Sequence, residues 1–170
     1  SKSLGNVIYV KDLSDIQKQA FRLLILAHHY RQPIQYSTQL LEQYEKNYQA
    51  LSKKLRLSKL ELLSSNSMHH HLDLSYQTRI LNALANDFHT AEVVTIMFEM
   101  QKTLNKTLDL KEKSSILNTF EWLLPMIGLN INLNVSEDLK IYVAWQQART
   151  LKNYHDADIY RNQLMEKGYI

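Results

Sequence analysis

The chain has 170 residues, 45% of them apolar, with no cysteine, three glycines and two prolines. This excludes wholesale disorder, disulfides, thiolate–zinc sites and a cysteine nucleophile, and the scarcity of turn residues argues against a sheet-rich fold. Lys and Arg number 20 against 17 Asp and Glu, a formal charge of +3 that permits a nucleic-acid partner without demanding one.

In chain order, the opening SKSLGNVIYV has neither a charged leader nor a long apolar core, so no secretory signal is expected. Val7, Ile8, Tyr9 and Val10 form a β-branched and aromatic run that reads as one isolated strand. Helical periodicity then takes over. Ile16, Ala20, Leu23, Leu24 and Ala27 lie on one apolar face, predicting a helix that opens near Asp12 and closes before Pro33. Ser37 is a cap-type residue for a second helix striped by Leu41, Tyr44, Tyr48, Leu51 and Leu55.

The polar, aperiodic stretch from Ser64 to Asp73 reads as a solvated loop. A third helix is predicted from about Leu74 to Ala85. A fourth, capped by Thr90 with Glu92 in its first turn, is lined by Val93, Met97, Met100 and Leu104. A fifth carries Ile116, Phe120, Leu123, Leu124 and Ile127 and ends at Pro125 and Gly128. Asn130 to Val135 alternates and reads as a linker. Ser136 is expected to cap a sixth helix running to about Leu151, and a seventh spans about His155 to Lys167. No apolar run approaches the roughly 20 residues needed to span a membrane.

Several segments, in order, resemble one family. Ser1-Lys2-Ser3-Leu4-Gly5-Asn6 looks like the tail of the KMSKS signature of class I aminoacyl-tRNA synthetases. Gln19-Ala20-Phe21-Arg22 stands where that class has an Asp-Ala-Leu-Arg helix motif. Ala27-His28-His29-Tyr30-Arg31-Gln32-Pro33-Ile34 resembles the Ala-His-Tyr-Arg-Ser-Pro-Leu segment of cysteinyl-tRNA synthetases. Asn86-Asp87-Phe88-His89-Thr90-Ala91 resembles their Asp-Asp-Phe-Asn-Thr-Pro helix start. Ala148-Arg149, Lys152-Asn153-Tyr154 and Ala157-Asp158-Ile159-Tyr160-Arg161 resemble the pattern of their carboxy-terminal module.

The resemblance implies the carboxy-terminal half of such an enzyme, from the end of KMSKS onward. The fold implied is all-α: an antiparallel helical bundle of the DALR, anticodon-binding type, with a short amino-terminal strand and a small two-helix module. Residues 1–12 would be the KMSKS remnant and connecting strand, 13–130 the bundle, and 131–170 the anticodon-recognition module. The parent activity implied is ATP-dependent ligation of cysteine to tRNA(Cys). ATP and zinc would be held by the catalytic half that precedes this part, and the chain alone is expected to be inactive and to need no cofactor. A cytoplasmic monomer with no membrane contact is expected.

In the intact enzyme Lys2, between Ser1 and Ser3, would meet ATP phosphates and be catalytic. Arg149, Tyr154, Asp158 and Arg161 would read the anticodon: Arg offers paired donors to a base edge, Asp accepts from an amino or imino group, and Tyr stacks. The alternative for Arg149 and Asp158 is a plain inter-helix ion pair. Arg22 is expected in a structural ion pair. Arg31 is read as either a phosphate contact or a fixed loop contact. Lys53, Lys54, Arg56 and Lys59 are read as a solvated basic face rather than an RNA contact. His28 and His29 are expected to cap and pack, since they lack the i, i+4 spacing of helical metal ligands. His69, His70 and His71 are read as loop residues. Two other functions fit parts of the pattern: a cysteine ligase acting on a small-molecule amine, and a non-enzymatic helical scaffold that binds protein.

Overall fold

A computed structural model describes residues 9–170. Among the described residues there are seven α-helices, two 3-10 turns and no strand. The helices are α1 (Asp15–Leu26), α2 (Thr38–Ser64), α3 (Leu74–Ala85), α4 (Thr90–Lys106), α5 (Leu110–Met126), α6 (Leu139–Thr150) and α7 (Tyr154–Glu166). The 3-10 turns are Val10–Asp12 and Ser136–Asp138. None of these helices is long and apolar enough to cross a membrane. Of the expected strand, Val7 and Ile8 lie outside the described residues. Tyr9 is extended, but Val10 already turns into the 3-10 helix, so that expectation is not met where it can be read.

Local chemistry sets the helix ends. α1 is capped by Ser14 and starts at Asp15, past the expected Asp12, because Ser14 and Gln17 form a capping box. The Ser14 hydroxyl accepts from the Gln17 N–H at 3.2 Å, and the Gln17 side chain accepts from the Ser14 N–H at 3.0 Å. Ser37, Asp73, Asp109 and Asn153 cap α2, α3, α5 and α7 with side-chain oxygens. Thr90 is the first residue of α4 rather than its cap; His89 holds the cap position without a side-chain bond. Ser136 likewise opens a 3-10 turn, and α6 begins only at Leu139.

Two apolar clusters share α2, a 27-residue spine about 40 Å long. The larger packs α1 to α5 around Leu23, Leu51, Leu55, Met97, Met100, Phe120 and Leu123, all fully buried. Tyr48 joins it from the α2 stripe, with Tyr44 partly buried against it, as the spacing suggests. The smaller sets α6 and α7 on the far half of α2 through Leu60, Val135, Tyr142, Leu164 and Tyr169. The linker between the clusters is pinned at Asn130, whose N–H donates to the Gln19 side chain at 2.8 Å and whose carbonyl accepts from the Tyr48 hydroxyl.

Three sequence readings change here. Among the described residues Arg22 makes no ion pair: its Nε donates to the Ile127 carbonyl at 3.0 Å, satisfying the carboxy end of α5. The chain reverses there at Gly128, φ +72°, where a Cβ would lie 3.0 Å from the Arg22 guanidinium. The loop after α2 is not simply solvated. Buried Ser114 and Thr119 accept from the His69 and Asp73 N–H groups, and Asn118 donates to the His69 and His71 carbonyls. The basic run on α2 is largely consumed in structure. Lys59 pairs with Glu121, and Arg56 holds the end of α7. Burial, then the neighbouring Lys113 charge, pushes the Lys54 ammonium below its ordinary pKa. Lys53 remains exposed.

Candidate nucleic-acid interface

α6 and α7 form a helical hairpin whose turn is closed by two devices. The Lys152 N–H donates to the Arg149 carbonyl at 3.1 Å and the Asn153 N–H to the Ala148 carbonyl at 2.8 Å, ending α6 in a Schellman motif. Lys152 takes the left-handed position, φ +56°, that glycine usually fills. Asn153 then caps α7, accepting from the Asp156 N–H at 3.3 Å.

This turn decides what faces what. On α7, Tyr154, Asp158 and Arg161 fall at i, i+4 and i+7, one helix face. Ala157 sits between them, small and buried, so α6 can come close. On α6, Trp145 and Arg149 are one turn apart and form the opposite wall. The five larger side chains and Ala157 line an open depression of about 570 Å³. All four residues singled out from the sequence therefore meet at one place, and all four are exposed. Among the described residues no ion pair joins Arg149 to Asp158. The Arg149 guanidinium instead lies over the Trp145 ring, 4.9 Å from its centroid. Trp145 escaped the sequence reading, although its i, i+4 spacing from Arg149 was visible.

The hairpin is held to α2 by a polar clasp. Arg56 Nη1 donates to the Lys167 and Gly168 carbonyls at 2.7 and 3.3 Å, and its Nε donates to the Asn132 carbonyl at 3.2 Å. Its guanidinium rests 4.2 Å over the Tyr169 ring. The Tyr169 hydroxyl donates to Asp138 at 2.5 Å, and Lys167 pairs with the same carboxylate at 3.1 Å. Burial, then the bond to Asp138, pushes the Tyr169 phenol up to about 12. Burial raises the Asp138 carboxyl, but hydrogen bonds from Tyr169 and Lys167 outweigh it and hold the group below its ordinary value.

The other candidates are accounted for or out of view. Ser1, Lys2 and Ser3 lie outside the described residues. The His28 Nδ1 donates to the Leu24 carbonyl at 2.7 Å, and His29 stacks on Tyr30. Arg31 is a loop contact, paired with Asp87 at 3.2 Å. Among the described residues no group of three or more His, Asp or Glu side chains could hold a metal ion, and the sequence has no cysteine.

Residues 79–133, running from within α3 to the linker, match the DALR domain family. An all-helical protein carrying that domain at its centre is a DALR-type helical protein. The chain is also 38% identical over its whole length to the cysteine–tRNA ligase of Acholeplasma laidlawii, covering 39% of that protein. It is 34% identical to the cysteine–tRNA ligase of Onion yellows phytoplasma, covering 40% of it, and 28% identical to that of Mesoplasma florum, again covering 40%. Over its whole length the chain is thus similar to the carboxy-terminal part of cysteine–tRNA ligases, with the DALR domain at its centre. It spans about two-fifths of the length of the curated relatives it matches. Neither the small-molecule ligase nor the free-standing scaffold finds support among these relatives.

Proposed function

We propose that this chain is the tRNA-binding part of a cysteine–tRNA ligase, and that the α6–α7 depression reads the anticodon. The observation that carries the reading is the convergence of Arg149, Tyr154, Asp158 and Arg161 on one exposed depression. Two guanidinium groups attract phosphates and offer donors to base edges. One carboxylate accepts from amino or imino groups, and a phenol ring gives an unpaired base a face to stack on. In this reading the whole protein joins cysteine to tRNA(Cys) at the expense of ATP, as a cytoplasmic monomer. ATP and zinc belong to the part that precedes this one in the longer relatives. Ser1, Lys2 and Ser3 are the end of the KMSKS loop, with Lys2 against the ATP phosphates.

Fluorescence anisotropy with labelled tRNA tests the binding step. The chain should bind tRNA with an affinity that falls linearly on a log–log plot against salt, and bind an RNA duplex of similar length more weakly. Equal binding to tRNA and duplex, or none to either, contradicts the reading.

A further inference from the structure

Four arginines lie over aromatic rings among the described residues: Arg31 on Tyr30, Arg56 on Tyr169, Arg79 on Tyr76 and Arg149 on Trp145. In three of them the guanidinium also has hydrogen-bond acceptors. Arg31 pairs with Asp87, Arg79 pairs with Glu99, and Arg56 donates to three carbonyls. Arg149 differs. Among the described residues its guanidinium has no hydrogen-bond acceptor and no carboxylate partner, although Asp158 lines the same depression.

We infer that Trp145 is a positioning residue, which holds the Arg149 guanidinium away from Asp158 so that both charges stay available to an unpaired RNA base. The inference rests on the proposal that this depression reads bases. The energetics allow it. An exposed Arg–Asp pair is worth about 0–1 kcal/mol and a cation–π contact at an exposed site about 0.5–1 kcal/mol, so an indole can retain the guanidinium. The indole is itself fixed. It is partly buried against the smaller core and meets buried Tyr142 edge-on, ring centroids 6.0 Å apart at 67°. A cation held on a fixed ring loses less side-chain freedom when a ligand binds, and its rim of N–H donors stays open. Direct pairing of Arg149 with Asp158 would leave the depression with two mutually satisfied groups and less to offer a base.

The test compares Trp145→Phe, which keeps a ring face, with Trp145→Leu, which keeps apolar volume without one. Two quantities are read on the 170-residue chain. The first is the NMR shift of the Arg149 Nε–H, which a ring face displaces upfield. The second is the affinity ratio between tRNA with its native anticodon and the same tRNA with the first anticodon base changed. The upfield shift should persist in wild type and Trp145→Phe and vanish in Trp145→Leu. The ratio should fall about two- to fivefold in Trp145→Leu and by less than about twofold in Trp145→Phe, with affinity for the altered tRNA unchanged. Thermal melting checks the fold; Trp145→Met replaces the leucine variant if the latter melts early. Equal ratios in the leucine and wild-type chains, or a wild-type Arg149 resonance without the upfield shift, overturn the inference alone. A wild-type chain that shows the shifted resonance but binds both tRNAs equally overturns the base-reading proposal, and this inference with it.

Discussion

The two apolar clusters on α2 anchor their neighbours by different means. In the larger, Leu51 and Leu55 are sealed among five helices, with Met97, Met100 and Phe120 fully buried. In the smaller, α6 and α7 rest on a short row of buried side chains, and the Arg56–Tyr169–Asp138–Lys167 clasp fixes their angle. A hairpin that leaves one side open to solvent has less apolar surface to bury. Directional polar contacts then supply the orientation that packing supplies in the bundle. The difference has a consequence: the bundle should answer to side-chain volume, and the hairpin to charge.

The comparison breaks most sharply at Phe120. Phe120→Ala empties the fully buried centre of the bundle and should cost about 3–5 kcal/mol in urea unfolding, lowering the whole transition. Arg56→Ala removes a charged donor from three carbonyls. It should cost about 1.5–3 kcal/mol, read as faster amide exchange in α7 with α4 and α5 little changed. Lys152→Gly should act in the opposite direction. It relieves a left-handed lysine at the hairpin turn and should stabilise α6 and α7 by about 1 kcal/mol in the same exchange measurement.

The smallest effect is in pH. The Asp138 carboxyl is held below its ordinary pKa, so its contribution is full above about pH 4 and is lost as pH falls through the depressed value. Tyr169 works in reverse: its phenol is raised to about 12, so its contribution is full below about pH 10 and fades between there and 12. Melting curves of wild type and Asp138→Asn should therefore differ at pH 7 and converge in acid. A constant gap would show that the clasp carries no pH-linked stability.

The sequence made the helices legible because their apolar spacing and caps are local signals. Leu74 to Ala85 falls where its periodicity places it, Ser37 caps α2, and Gly128 turns the chain after α5. Arg149, Tyr154, Asp158 and Arg161 were also legible, since two helices joined by a short turn bring them together. Arg22 and Arg56 were not. Their partners are main-chain carbonyls at helix ends 105 and 111 residues away, and a carbonyl leaves no mark in a sequence. The loop after α2 looked solvated because the groups that satisfy its backbone, Ser114, Asn118 and Thr119, sit on the polar stripe of a later helix.

The central claim, that the α6–α7 depression reads the anticodon, is tested most directly by one ratio. Wild type and Arg149→Ala are each titrated with tRNA carrying its native anticodon and with the same tRNA changed at the first anticodon base. Wild type should prefer the native tRNA, and Arg149→Ala should lose about ten- to a hundredfold of that preference, the loss expected of a bidentate base contact worth about 1–3 kcal/mol. If both proteins discriminate equally well, Arg149 reads no base and the claim is wrong.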